Sequence, residues 1–431
     1  MPELNFLTAH DRMHKKRAFQ LMTKPYGPVC NLQCDYCYYL EKANIYDEKK
    51  NVPTQFKMSD EVLEKYVHDY IESQPGEEVQ FTWQGGEPTL LGVDFFRKAL
   101  QFQQKHGEGR RISNTLQTNG TLITDEWAEF FVTNNFLIGL SIDGPADLHD
   151  YYRKYTSGKG SFSRIMDTVK LFHKHKVEFN TLTVVNDRNA KVPLKVYRFL
   201  KDIGSQFMQF IPIVEREAVD PGMKLKLVAN DYKKETWVTE ESVESEDWGK
   251  FLAKIFDEWV RIDIGNIFVN YFDNTLAPYA GDQPSLCTMR LVCGDGLVME
   301  HNGDVYSCDH YVYPQFHLGN VMNDNLEELA KSDVQLKFGL DKRDTLPKEC
   351  RECEFLKMCG GDCPKHRFVE TENGEMITYL HDGFLYYFRH VDKYMKLMAE
   401  ELKNKRPPAN IMKMFPDKEK RRLLQRTRYK L

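Results

Sequence analysis

Pro28-Val29-Cys30-Asn31-Leu32-Gln33-Cys34-Asp35-Tyr36-Cys37 sets three thiols in the spacing C-x3-C-x2-C. Thiolates this close together wrap readily around an iron–sulfur cluster, whose usual complement is four ligands. Three cysteines leave one iron without a protein ligand, and an open metal position is where chemistry takes place. The same spacing also suits a zinc site completed by a distant fourth ligand, or thiols that bind nothing.

Working outward, the chain holds ten cysteines, three within residues 30–37 and seven within 287–363, with none between. That distribution is the arithmetic of metal sites and not of a disulfide network. The N-terminal stretch with His10, Arg12, His14, Lys15, Lys16 and Arg17 lacks the apolar segment of an export signal, so a cytoplasmic location is expected. Lys and Arg number 59 against 64 Asp and Glu, a net charge of −5 that calls for no nucleic-acid partner. No run of about eighteen apolar residues exists, so no membrane span is expected. With 431 residues, 41% of them apolar, the chain can bury a large core or two to three domains.

Between residues 18 and 215, short apolar runs alternate with amphipathic segments. Strands are expected at 20–23, 79–83, 112–118, 137–142, 178–185 and 206–214. Helices are expected near 59–72, 93–106, 124–134, 161–175 and 192–203, the first with Ser59 as N-cap and Val62, Tyr66, Val67, Tyr70 and Ile71 on one face. Strands alternating with helices argue a parallel sheet, here an α/β partial (β/α)6 barrel with active residues on the loops after the strands. Residues 215–247 read as a polar linker or insertion and 251–262 as a bridging helix. The basic end from Lys413 reads as a solvated or frayed tail.

After the second strand comes Gln84-Gly85-Gly86-Glu87-Pro88. Alone it is a turn; glycines there let a ligand approach the backbone, and a carboxylate can accept from an ammonium. One strand downstream of the cysteine triplet, with the aromatic Tyr36 before Cys37, it resembles the radical S-adenosylmethionine (SAM) enzymes. The resemblance implies that Cys30, Cys34 and Cys37 hold a [4Fe-4S] cluster whose open iron is chelated by SAM. It assigns Gly85, Gly86, Glu87 and Pro88 to the methionyl ammonium and Tyr36 to the neighbourhood of the adenine. Ser141 at a strand end is assigned to the ribose, and Arg153 to the SAM carboxylate. Bland alternatives are a satisfied strand-end hydroxyl for Ser141 and a surface ion pair for Arg153. Asn119 is a weaker, substrate-facing candidate.

The second block reads Cys287-x5-Cys293, Gly303-x4-Cys308, then Cys350-x2-Cys353-x5-Cys359-x3-Cys363. Its C-x2-C pair suits zinc in isolation. In this order the seven cysteines resemble the SPASM domain of peptide-modifying radical SAM enzymes, which binds two auxiliary four-iron clusters. The resemblance implies that Cys287, Cys293, Cys308 and Cys363 hold one cluster and Cys350, Cys353 and Cys359 the other. Where the family has an eighth cysteine, this chain has His381 in Tyr379-Leu380-His381-Asp382-Gly383-Phe384. An imidazole there could ligate iron, as in Rieske centres, and Asp382 is a weaker substitute.

Residues 20–410 together resemble the anaerobic sulfatase-maturating enzymes, most closely those of Bacteroides type. Cys37-Tyr38-Tyr39-Leu40-Glu41-Lys42-Ala43-Asn44 and Cys308-Asp309-His310 are the most specific stretches. The implied reaction oxidises a cysteine or serine in a C/S-x-P-x-R motif of an unfolded sulfatase to Cα-formylglycine. SAM cleavage yields a radical that takes a hydrogen from the target Cβ, and an electron and a proton then leave. Asp309, fixed beside Cys308, is the implied proton acceptor; without the family it reads as a carboxylate accepting backbone N–H bonds. A low-potential donor such as flavodoxin or ferredoxin is implied as partner. The implied domains are an extension at 1–17, the barrel at 18–247, a bridge at 248–286, the auxiliary-cluster domain at 287–390 and a terminal helix with basic tail at 391–431. Two competing readings are a radical SAM/SPASM maturase of another ribosomal peptide, and a non-catalytic metal-binding or electron-carrier protein.

Overall fold

The computed structural model describes residues 18–46, 53–220, 222–426 and 428–429. The expected extension at 1–17 and Lys430 of the tail lie outside them. Six strands follow one another in space in chain order: β1 (Gln20–Lys24), β2 (Glu78–Trp83), β3 (Arg111–Thr118), β4 (Phe136–Ser141), β5 (Phe179–Val185) and β6 (Phe207–Pro212). Every neighbouring pair is parallel. The crossovers run through α1 (Asp60–Ser73), α2 (Val93–His106), α3 (Asp125–Thr133), α4 (Ala146–Tyr152), α5 (Phe162–His175) and α6 (Pro193–Asp202). Local chemistry explains the helix starts. Ser59 Oγ accepts from Val62 N at 3.2 Å and Thr124 Oγ1 from Trp127 N at 3.4 Å, satisfying donors the helices cannot. Val62, Tyr66, Val67, Tyr70 and Ile71 are all buried against the sheet, as their spacing predicts. Sequential parallel strands with helical crossovers make a partial (β/α)6 barrel whose site loops follow the strand C-termini.

Three regions differ from the sequence expectation. Residues 216–238 are not a featureless linker: β7 (Arg216–Ala218) pairs antiparallel with β8 (Thr236–Val238). The bridging helix starts earlier, as α7 (Ser245–Ile262), because Glu246 and Asp247 are its acidic first turn and not part of a polar linker. The basic tail is not wholly solvated. Arg426 grips Asp202 with two contacts of 2.7 Å, and the Tyr429 ring lies 5.0 Å from that of Phe199.

Sequence periodicity left unread the joining of the cysteine-rich segment to the barrel. The sheet gains β9 (Phe268–Val269) beside β6, followed by α8 (Asn270–Ala280). At the other edge β10 (Gly296–Glu300) lies parallel to β1 in the register Gln20↔Gly296 to Lys24↔Glu300. β11 (Asp304–Tyr306) and β12 (His317–Asn320) extend it antiparallel, for ten strands in all among the described residues. Asp309 therefore stands near the C-terminal end of β1. Beyond lie α9 (Leu326–Lys331), α10 (Asp333–Asp344), the ribbon of β13 (Arg367–Glu370) and β14 (Met376–Thr378), and the long α11 (His381–Lys403). No helix among the described residues is long and apolar enough to cross a membrane.

Candidate active site

The first cysteine loop leaves β1 and packs on the glycine turn after β2. Gly86 N donates to Gly27 O and Glu87 N to Val29 O, both at 2.8 Å. A Cβ on Gly86 would sit 2.1 Å from Val29 O, so glycine is required for the two loops to touch. All ten cysteines are free. Burial pushes the Cys30 thiol up to about 12, helped by the nearby Glu87 and Cys37 charges. Cys34 and Cys37 are raised by burial too, and Cys34 also by the charges of Cys37 and Cys30. Three half-buried thiols that oppose one another's ionisation fit a multi-iron centre, which supplies the positive charge they lack.

Beside this loop lies a buried trio. The Tyr36 hydroxyl donates to Asp143 Oδ2, Arg153 Nε donates to the same oxygen at 2.9 Å, and Val184 N donates to Oδ1 at 3.1 Å. Burial opposes the Arg153 charge, but Asp143, Tyr36 and Cys34 together outweigh it and hold the guanidinium cationic. Arg153 thus lies inside and is no surface ion pair. The sequence does not single out Asp143, two residues after Ser141, because a carboxylate after a strand is too common. Ser141 Oγ accepts from Gln117 Nε2 at 2.7 Å, leaving its own hydrogen to donate.

Glu87 corrects an expectation. Its carboxylate was assigned to a ligand ammonium, yet the side chain is fully buried and bonded within the protein. Oε1 accepts from Thr89 N at 3.0 Å, Thr89 Oγ1 at 2.6 Å and Thr118 Oγ1 at 2.7 Å, and Oε2 from Asn119 N at 2.7 Å. It fastens the glycine turn to the end of β3. Asn119 likewise faces the cysteine loop, donating to Asn31 Oδ1 at 2.9 Å and approaching Cys30 Sγ at 3.7 Å.

Asp309 joins the two cysteine regions. Its Oδ1 pairs with Lys24 Nζ at 2.6 Å, from the end of β1, and Oδ2 accepts from the Tyr38 hydroxyl at 2.5 Å, from the residue after Cys37. Burial works to raise its pKa, but Lys24, His310 and the Tyr38 hydrogen bond together hold it below the usual carboxylate range. His310 is pushed down to about 3, by burial and then by Lys365, and lies edge-on to Tyr38 at 5.4 Å. Lys365 Nζ lies over the Tyr38 ring, 5.1 Å from its centroid, and pairs with buried Glu215. Lys24, Tyr38, Lys365 and Glu215 were not singled out as site residues. Only the three-dimensional joining of β1 to β10 brings Lys24 to Asp309.

The seven C-terminal thiols fall into two interleaved sets. Burial raises Cys308, Cys363 and Cys293, and charges within the set Cys287, Cys293, Cys308 and Cys363 raise them further. Cys350, Cys353 and Cys359 instead line one small cavity together with His381, at the start of α11. Asp382 lines a different, surface hollow with Tyr386 and Arg389.

Residues 25–200 match the model of the radical SAM superfamily and residues 291–354 that of an iron–sulfur cluster-binding domain, SPASM. Barrel, thiol loop and second thiol domain together define a radical SAM enzyme with [4Fe-4S] clusters and SAM as cofactors. The chain is 50% identical over 400 residues to a serine-type anaerobic sulfatase-maturating enzyme of Bacteroides thetaiotaomicron, covering 92% of this chain and 95% of the relative. It is 33% identical to a cysteine-type anaerobic sulfatase-maturating enzyme of Clostridium perfringens, covering 89% and 99%. The solved structure of native anSMEcpe with bound AdoMet and Cp18Cys peptide aligns with a TM-score of 0.76 at 33% identity, covering 89% of this chain and 99% of that one. The chain belongs to the anaerobic sulfatase-maturating enzymes.

Proposed function

We propose that this enzyme converts a serine or cysteine of an unfolded sulfatase, in a C/S-x-P-x-R motif, to Cα-formylglycine, with Asp309 as proton acceptor. The observation that carries it is the double grip on Asp309 by Lys24 and Tyr38, which holds a carboxylate between the two thiol regions. When bound, SAM and the clusters supply the radical that removes a hydrogen atom from the target Cβ and take up the electron left behind. The protein does the rest. The backbone of Gly85 and Gly86 with Pro88 would cradle the methionyl group, Arg153 would pair with its carboxylate, Ser141 would donate to the ribose, and Tyr36 would pack near the adenine. Asp309 stays ionised at neutral pH and accepts the proton from the target hydroxyl or thiol. For serine, one hydrogen atom, one electron and one proton leave, giving the aldehyde. For cysteine the same loss gives a thioaldehyde that water hydrolyses.

Cys30, Cys34 and Cys37 would hold the SAM-binding cluster. Cys287, Cys293, Cys308 and Cys363 would hold one auxiliary cluster. Cys350, Cys353, Cys359 and His381 would hold the other, the shared cavity supporting His381 over Asp382. Ten unpaired thiols fit a reducing compartment, so the enzyme works in the cytoplasm with a flavodoxin or ferredoxin as donor.

The test is mass spectrometry of Ser-x-Pro-x-Arg and Cys-x-Pro-x-Arg peptides after anaerobic incubation with reconstituted enzyme, SAM and reductant. Aldehyde in either peptide is the expected result, and the ratio of the two gives the preferred residue. SAM cleavage with both peptides intact would move the activity to another peptide substrate.

A further inference from the structure

Two buried cations lie among the C-terminal thiols without a carboxylate to neutralise them. Lys342 of α10 is fully buried, 0% exposed, and Arg367 at the start of β13 is 5% exposed. Lys342 Nζ donates to the carbonyl oxygens of Cys287 at 2.5 Å and Thr288 at 2.8 Å, and to that of Arg290. Arg367 donates through Nε to Gly361 O at 2.8 Å, through one terminal nitrogen to Lys342 O at 2.5 Å, and through the other to Asp362 O at 3.1 Å. Neither cation is in an ion pair with Asp or Glu among the described residues. The nearby buried carboxylate of Asp362 is taken by His366 at 2.9 Å and Thr378 at 2.7 Å.

Carbonyl oxygens solvate an ammonium but do not cancel its charge, and an uncompensated buried ion is strongly destabilising. The anions at hand are the thiolates. Burial disfavours the Lys342 charge and the charges of Cys293, Cys363 and Cys287 favour it, while Arg367 favours the thiolates of both Cys293 and Cys350, one from each thiol set. The backbone is shaped for this approach. Gly339, one turn before Lys342, stands where a Cβ would lie 2.3 Å from Cys293 O, so α10 presses directly on that cysteine loop. Gly361, which accepts from Arg367, also lines the cavity of Cys350, Cys353, Cys359 and His381. Lys342 therefore belongs to the first thiol set, and Arg367 stands between the two.

We infer that Lys342 and Arg367 are built-in counter-charges that set how readily the auxiliary clusters accept the substrate's electron. The inference rests on the cluster assignments under Proposed function. A four-iron centre on thiolates is an anion and becomes more so when reduced, so a fixed cation beside it stabilises the reduced form and raises its potential. The electron balance is simple: the substrate carbon is oxidised, an auxiliary cluster is reduced by one electron, and the proton goes to Asp309. Lys342 and Arg367 are positioning residues in this scheme, since they act through the clusters and touch no substrate.

The test compares full-length reconstituted wild type with Lys342→Met and Lys342→Arg, first by iron and sulfide content and then by redox titration followed by electron paramagnetic resonance. At the wild-type midpoint of the auxiliary signal, the reduced-to-oxidised ratio should fall at least tenfold in Lys342→Met, a negative shift of about 59 mV for one electron. Lys342→Arg should stay within threefold of wild type. Arg367→Met should move the signals of both auxiliary clusters. A fully loaded Lys342→Met with an unmoved ratio overturns the inference. If Lys342→Met loses iron, Lys342→Arg decides: full loading there supports a role of charge, and equal loss in both overturns it in favour of shape. Iron at the N-terminal site alone in the wild type would remove the cluster assignment itself and this inference with it, a failure that the iron count distinguishes before any potential is read.

Discussion

The two thiol regions treat charge in opposite ways. Beside Cys34, the buried cation Arg153 is matched by the buried anion Asp143, so that pair adds little net charge. Beside Cys287, Cys293 and Cys363, Lys342 has three carbonyls and, among the described residues, no carboxylate. On the proposed assignment, the first region would hold and orient a charged ligand at an iron left open by having only three cysteines. The second surrounds its thiols and offers uncompensated positive charge, which suits a place where an electron comes to rest. The lesson is that the function of a cysteine cluster is written in its neighbours as much as in its spacing.

Breaking the first region should have the largest effect. Cys34→Ala should abolish SAM cleavage, a loss of more than about a thousandfold measured as 5′-deoxyadenosine, while leaving about eight of about twelve irons per chain. Equal loss of all iron would show that the two regions do not load independently. In the second region, His381→Ala should cost about four irons per chain, whereas His381→Cys should keep them. Nitrogen hyperfine coupling to an auxiliary cluster should be present in the wild type and absent in His381→Cys; coupling that survives the substitution would assign the nitrogen elsewhere. Between the regions, Tyr38→Phe removes a hydrogen bond to a charged acceptor, about 1.5–3 kcal/mol. Formylglycine formation should fall about 10- to 100-fold with SAM cleavage little changed. Smallest is Ser59→Ala, which removes the cap of α1, a helix that carries none of the thiols or their partners. It should lower unfolding stability by about 1 kcal/mol with unchanged iron content and turnover.

Much of this contrast was legible in the sequence, but unevenly. The barrel strands and most helices follow from local periodicity and capping. The helix over Val93–His106 was read to the residue, since its apolar spacing and the glycine before it are local signals. The thiol spacings and the oddity of His381 were equally plain. What could not be read depends on pairing across distance. β10 lies beside β1 although some 270 residues separate Gln20 from Gly296, and only that pairing brings Lys24 to Asp309. Glu87 was assigned outward because its four donors come from Thr89, Thr118 and Asn119, two of these at the end of β3. Nothing in the local sequence marks Lys342, on a largely polar helix, as buried. Its burial follows from Gly339 letting that helix touch the Cys293 loop.

The central claim is that hydrogen removal belongs to the first region and proton acceptance to Asp309, which links it to the second. The ratio of 5′-deoxyadenosine to formylglycine in Asp309→Asn, with a Ser-x-Pro-x-Arg peptide, tests it most directly. Amide for carboxylate keeps the size and removes the base, a loss of about 10²- to 10⁴-fold in a general-base step. The account predicts that 5′-deoxyadenosine continues to form while formylglycine falls by that factor, so the ratio rises far above one. A ratio that stays near one, with both products falling together or neither changing, would contradict it.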